Sequence, residues 1–110
     1  MAKVVSIYRD QYDVYIGRAG KGQDGYFGNP IRVGEYCKCC RSIHVSPGST
    51  IPCFTKYFLN RINTDSEFRT RVLALKGLTL GCFCAPAGGL TASDEHRCHG
   101  QPILKWLETQ

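Results

Sequence analysis

The residues able to do chemistry fall into three short groups: Cys37-Lys38-Cys39-Cys40, Cys82-Phe83-Cys84 and Cys98-His99. Thiolates and neutral imidazoles are the preferred ligands of Zn(II), and a closed structural site takes four of them in a tetrahedron. Cys37 and Cys40 form a C-x-x-C pair, the usual gap of a zinc knuckle. Such a knuckle needs two further ligands. His44, Cys53, Cys39 and the Cys82/Cys84 pair are available. The candidate metal ligands are therefore Cys37, Cys40, Cys82 and Cys84, with zinc as the expected cofactor. Redox chemistry at Cys37/Cys40 has less support, because no helix starts at that pair to activate a thiol. Cys82 and Cys84 also admit a plain reading as small buried hydrophobes on an apolar strand.

Cys98-His99 is followed by Gly100-Gln101-Pro102 and an apolar run, so it opens a helix. Free N–H groups and the helix dipole there lower a thiol pKa and attract anions. The pair reads three ways: as metal ligands, as a nucleophile with its acid–base partner, or as a phosphate-binding corner. Adjacent side chains usually diverge, which makes both binding one metal awkward.

Gly20-Lys21-Gly22-Gln23-Asp24-Gly25 spells G-x-G-x-x-G, but Tyr26-Phe27-Gly28-Asn29-Pro30 follows where a dinucleotide site needs a helix. What remains is a glycine-rich loop with Arg18 and Lys21 near its start. Tyr8, Tyr12, Tyr15, Tyr26 and Phe27 lie near Arg9, Arg18 and Lys21. Interleaved aromatics and cations suit base stacking and phosphate neutralisation, although tyrosine is also ordinary strand filler.

Positioning these groups requires a scaffold. Residues 3–8 are β-branched and apolar and read as a buried strand. Residues 12–18 alternate and read as a second strand. Thr50-Ile51-Pro52 is a helix start with a capping hydroxyl, followed by an apolar stripe at Ile51, Phe54, Phe58 and Ile62. Thr64-Asp65-Ser66-Glu67 is a capping box for a second helix, striped by Phe68, Val72 and Leu75 and closed by Gly77. Residues 78–84 read as a third strand, 85–97 as a loop, and the C-terminus as a helix. The expected fold is a small single α/β domain spanning 1–110. It has a central, mostly parallel sheet flanked by helices, with a cysteine-rich knuckle inserted at about 35–47. Ligands in such folds sit at the carboxyl ends of strands, where the loop after residue 17, Cys82-x-Cys84 and Cys98-His99 could meet.

Composition narrows the classes. The chain has 110 residues, seven cysteines and a formal charge of +5. That length supports one domain. No apolar run approaches the roughly 18 residues of a membrane span, and the first residues carry no signal-peptide pattern. The expectation is a cytoplasmic protein with no membrane partner. A reducing compartment argues against disulfides, so the cysteines need another reason. The positive charge favours anionic partners.

Tyr15-Ile16-Gly17-Arg18, Gly28-Asn29-Pro30, Leu80-x-Cys82-x-Cys84-x-Pro86 and Cys98-His99-Gly100 together resemble a family spread through bacteriophages and bacteria, domain of unknown function 4326. The resemblance implies a compact α/β domain, often phage-borne, with Gly17, Arg18, Asn29, Pro30, Cys82, Cys84, Cys98 and His99 as signature positions. It transfers no activity. The chain departs from the family pattern in the longer stretch between Cys84 and Cys98 and in the Cys37–Cys40 cluster.

Two functions from different classes follow. In the first, the domain acts on or binds a phosphate-containing ligand, a nucleotide or nucleic acid. Gly17, Arg18, Lys21, Asn29 and Gly100 would be its ligand-binding residues, and Cys98, His99 and Asn29 the candidate catalytic groups. In the second, it is a non-catalytic, zinc-stabilised module that binds nucleic acid or a host protein, in the host cytoplasm if phage-encoded. A redox-sensitive regulator is a third option.

Overall fold

A computed structural model describes residues 3–18, 25–82, 85–86, 88–94 and 98–110. Strand β1, Val4–Ser6, and strand β2, Val14–Tyr15, come first. A hairpin of β3, Tyr36–Cys37, and β4, Ser42–Ile43, follows. One 3-10 turn, Pro47–Thr50, runs into helix α1, Ile51–Thr64. Helix α2, Ser66–Leu73, strand β5, Leu80–Cys82, and helix α3, Gly100–Glu108, complete the order.

The main sheet has the order β1-β5-β2 and is parallel throughout. Val4 and Val14 both align with Leu80, and Ser6 aligns with Cys82. Parallel strands need long crossovers, and α1 and α2 lie in the chain between β2 and β5. The central strand is buried at every residue, as covering on both faces requires. The outer side of β1 is closed by Leu90, which exchanges two backbone hydrogen bonds with Val4 at 2.9 and 2.8 Å. The expected α/β class with a parallel sheet, three helices and a cysteine-rich region is the observed one.

The expected strands are longer than the observed ones. β1 stops at Ser6 because the Ser6 carbonyl accepts from the N–H groups of Arg9 and Asp10, which closes a turn. β2 is held to two residues, flanked by Asp13, whose carboxylate accepts from Thr79 N–H at 2.7 Å. Of the third expected strand, residues 83 and 84 lie outside the described residues.

Helix α1 buries Ile51, Phe54, Phe58 and Ile62, the stripe its periodicity predicts. Full burial of such side chains contributes about 1.5–3 kcal/mol each. Phe58 meets Phe68 of α2 and Trp106 of α3 edge-on, at 5.8 and 6.1 Å between ring centres. These contacts tie the three helices to one core with Val4, Ile16 and Leu80.

Two caps differ from expectation. Thr50 has helical backbone angles and makes no side-chain cap. The 3-10 turn already feeds α1, so the hydroxyl is available to Asn29, whose amide donates to it at 3.1 Å. For α2, the capping residue is Asp65 rather than Thr64. Its carboxylate accepts from Phe68 N–H at 3.1 Å, while Thr64 is still the last residue of α1. Gly77 has φ +82°, the left-handed conformation expected after a helix, but it sits beyond the cap at Ala74.

Candidate metal centres

The β3–β4 hairpin pairs Tyr36 with Ile43 and Cys37 with Ser42. Its four-residue tip closes through Arg41 N–H donating to the Cys37 carbonyl at 2.8 Å. Arg41 takes φ +60° to do so. A non-glycine residue there is strained by about 1–3 kcal/mol and persists where its surroundings hold it, often at ligand clamps. The two strands have two residues each, and Tyr36 and Ile43 are exposed. A hairpin of this size lacks the apolar contact to be stable by itself in water.

What gathers around it is a ligand set. Cys37, Cys40, His44 and Cys53 place their ligating atoms within 4.8 Å of one another. Cys37 ends β3, Cys40 sits in the tip, His44 follows β4 and Cys53 lies in the first turn of α1. Three thiols and one imidazole make a Cys3His set, the donor chemistry of a closed zinc site.

The hydrogen bonds around His44 fix its tautomer. Ser49 Oγ donates its single proton to the Ser46 carbonyl at 2.6 Å. At 2.9 Å from His44 Nδ1, that oxygen must therefore accept from the ring. The neutral imidazole then carries its lone pair on Nε2, which faces Cys40 Sγ at 3.5 Å. A metal-binding histidine is oriented in this way by what its other nitrogen holds.

The thiols differ in acidity. The Ser42 hydroxyl, 3.2 Å from Cys40 Sγ, holds the Cys40 thiol below its ordinary pKa. Burial, reinforced by the neighbouring thiols of Cys39, Cys37 and Cys40, pushes Cys53 up to about 12. Metal binding replaces those protons and so is favoured by rising pH. Cys39 is exposed and stands outside the four-residue group.

A second group forms where β5 meets α3. Cys82, Cys98 and His99 also bring their ligating atoms within 4.8 Å, and all three are buried. His99 Nε2 lies 2.7 Å from the Ile16 carbonyl, which can only accept, so Nε2 carries the proton. The neutral ring presents Nδ1, 4.0 Å from Cys82 Sγ. Cys98 and His99 do not diverge, contrary to expectation. His99, just before α3, has helical angles (φ −62°, ψ −16°), and its ligating nitrogen and the Cys98 sulfur lie within 4.8 Å of each other.

Gln101, absent from the sequence-derived candidates, secures that turn. Its side-chain oxygen accepts from Cys98 N–H at 3.0 Å, and its amide donates to the carbonyls of Thr91 and Asp94. A glutamine three residues after Cys98 has the spacing at which a side chain reaches back to a backbone N–H ahead of a helix, and that spacing was the available signal. Gly100 lets α3 approach the sheet: a Cβ there would lie 2.7 Å from Ile16 Cδ1 and 3.0 Å from Val4 Cγ2.

The other signature residues form a brace. Tyr15 donates to the Arg18 carbonyl at 2.8 Å. Arg18 donates to the carbonyls of Asn29 and Ile31 at 2.8 and 2.5 Å. Asn29 accepts from Ile31 N–H at 2.9 Å in addition to its bond to Thr50. Gly28 admits the crossing, since a Cβ there would stand 2.9 Å from the Gly17 carbonyl oxygen. The end of β2, the 25–31 turn and the start of α1 are thereby fastened together. The His99–Ile16 bond and the grouping of Cys82 with Cys98 and His99 bring the ends of β2 and β5 to the start of α3.

Among the sequence-derived metal candidates, Cys37 and Cys40 lie in the first group and Cys82 in the second. The structure does not bring the knuckle and Cys82 into one site. Cys84 and Lys21 fall outside the described residues. His44 and Cys53 are the residues grouped with Cys37 and Cys40. Tyr26 and Phe27 pack against Phe68, and the Tyr26 ring receives the guanidinium groups of Arg71 and Arg61 at 4.5 and 5.1 Å. Their faces are thus engaged within the fold.

Beside the knuckle opens a pocket of about 590 Å³, walled by Cys37, Cys53, Tyr36 and Tyr57 and by Arg32, Lys38 and Lys56, with Glu35 as its acid. No helix among the described residues is long and apolar enough to cross a membrane, and no disulfide joins the six described cysteines. No curated protein and no solved structure matches the chain. A family model spans residues 3–109, nearly all of it, and the chain belongs to that family, described as a domain of unknown function (DUF4326).

Proposed function

We propose that this chain is a zinc-binding domain whose metal fastens the hairpin to α1 and shapes a pocket for a phosphate-containing ligand, a nucleotide or nucleic acid. The observation that carries the reading is the Cys37, Cys40, His44 and Cys53 group, four zinc-type donors within 4.8 Å. Its tetrahedral count is complete, which suits a structural rather than a catalytic metal. In zinc-finger peptides such a site contributes about 10–16 kcal/mol of binding energy that doubles as folding energy. A short hairpin without an apolar core needs a staple of that kind.

The phosphate ligand is supported by the pocket beside this group. Arg32, Lys38 and Lys56 supply three cations against one acid, and Tyr36 and Tyr57 add aromatic lining. A volume of about 590 Å³ falls within the range of small-molecule sites. The formal charge of +5 adds a long-range attraction for anions. Cys98 and His99, only 1% and 5% exposed, suit contact with an ion better than with a nucleotide.

A second reading is favoured by the outer face of the hairpin. Tyr36, Ile43 and Val45 are 64, 57 and 87% exposed, an apolar strip suited to docking on a partner protein. In that reading the domain is a non-catalytic interaction module.

Elemental analysis of protein prepared without added zinc, compared with the Cys37→Ser variant, tests the metal. One zinc lost on substitution supports the proposal, and equal zinc in both contradicts it. Fluorescence titration of the zinc-loaded chain with a nucleoside monophosphate and with a short single-stranded oligonucleotide tests the ligand. Binding that weakens with salt and drops on Lys56→Glu supports the pocket reading. Binding indifferent to both contradicts it.

A further inference from the structure

The second group of thiols and imidazole is separate from the knuckle and has its own supports. We propose that Cys82, Cys98 and His99 form a second site for a thiophilic divalent metal, with one position left for an exogenous ligand. The donors would be the two sulfurs and His99 Nδ1.

Four observations support it. The three ligating atoms already lie within 4.8 Å, so little movement separates them from a shared ion. His99 Nε2 is committed to the Ile16 carbonyl at 2.7 Å, which aims Nδ1 at the sulfurs, 4.0 Å from Cys82 Sγ. Gly100 N–H donates to Cys98 Sγ at 3.4 Å, which holds the sulfur at the start of α3. Gln101 holds the Cys98 backbone from the other side.

The group also comes from separate elements. Cys82 ends the central strand, and Cys98 and His99 open α3, so a shared ion would join sheet to helix at the strand ends. Ligands bind at that end of parallel sheets.

Loading would convert two thiols and one neutral imidazole into two thiolates and one imidazole on the ion, releasing two protons. Among the described residues three protein donors meet here, which leaves a tetrahedral ion one position short, the arrangement of catalytic rather than structural zinc. That position is the difference from the knuckle, whose four protein donors close it.

The test is Co(II) loading of the full chain under reducing conditions. Thiolate-to-cobalt charge transfer reports sulfur ligation, and the visible bands report geometry. The expected result is two cobalt ions per wild-type chain and one in Cys40→Ser. In that variant, azide should shift the visible bands of the remaining ion. Cys98→Ala should remove one ion and the azide response together.

One cobalt per wild-type chain, removed by Cys40→Ser, overturns the second site while leaving the knuckle intact. Two ions with no azide response overturn the open position. Two ions retained in Cys40→Ser would instead count against the knuckle. The wild-type stoichiometry needs no substitution, so the proposal stays testable even if Cys98→Ala does not fold.

Discussion

His99 Nε2 donates to the carbonyl of Ile16 at 2.7 Å, joining the start of α3 to the end of β2 across 83 residues of chain. Both residues are buried. The bond satisfies a carbonyl that water cannot reach and fixes which ring nitrogen faces the sulfurs of Cys82 and Cys98.

Replacing His99 separates these roles. His99→Gln keeps an N–H of about the right reach, whereas His99→Leu leaves the Ile16 carbonyl without its donor. A buried acceptor left unpaired costs about 1–3 kcal/mol. Urea denaturation should therefore show the Leu variant losing stability in that range and the Gln variant losing less. Equal losses would mean that ring packing, including the edge contact with Phe54 at 5.2 Å, dominates instead.

Ser49 is expected to matter to the metal without touching it. Ser49→Ala removes the acceptor that fixes the His44 tautomer. Loss of such an orienting partner typically weakens metal binding by about 10–100-fold. Competition with a chromophoric zinc chelator reads the change directly. An unchanged affinity would detach Ser49 from the site.

Gly100 marks where helix and sheet come closest. Gly100→Ala drives a methyl against Ile16 Cδ1 and Val4 Cγ2. Overpacking of this kind costs about 1–3 kcal/mol. Ile16→Val removes the nearest of those atoms, so the double variant should lose less than the sum of the single ones. Thermal or urea unfolding of the four proteins measures that coupling, and strict additivity would contradict the contact.

Asp94 supplies a pH dependence. Its carboxylate accepts from Thr91 N–H at 2.7 Å and from the Thr91 hydroxyl at 3.1 Å. These bonds hold its pKa below the ordinary carboxylate value. A lowered folded-state pKa means stability present above the unfolded value near about 3.9 and lost as pH falls below it. Wild type should thus be more stable than Asp94→Asn at neutral pH, with the difference shrinking in acid. A pH-independent difference would show that the charge is immaterial.

The helices were legible because their signals are local. The stripe Ile51, Phe54, Phe58, Ile62 repeats at the helical period, and Asp65 sits before a helix as a capping residue does. Strand lengths were less legible. Nothing in residues 3–8 announces that the Ser6 carbonyl will be claimed by Arg9 and Asp10. The knuckle was half legible: the C-x-x-C spacing marks Cys37 and Cys40 as a pair. Assigning Cys53 was harder, because a cysteine in the first turn of an apolar-striped helix looks like packing, and only the fold brings the hairpin over it. His44 lacked any spacing signal, and its role rests on Ser49, five residues away, and on where Ser49 sends its proton. Gln101 belonged to a visible pattern, but its reach to Thr91 and Asp94 depends on the path of a loop.

Cadmium-113 NMR of the full chain, loaded with that isotope, tests the central claim most directly, because scalar coupling identifies the ligands by residue. The account predicts a resonance coupled to the β-protons of Cys37, Cys40 and Cys53 and to the imidazole of His44. A spectrum in which no cadmium resonance couples to those four residues would contradict it.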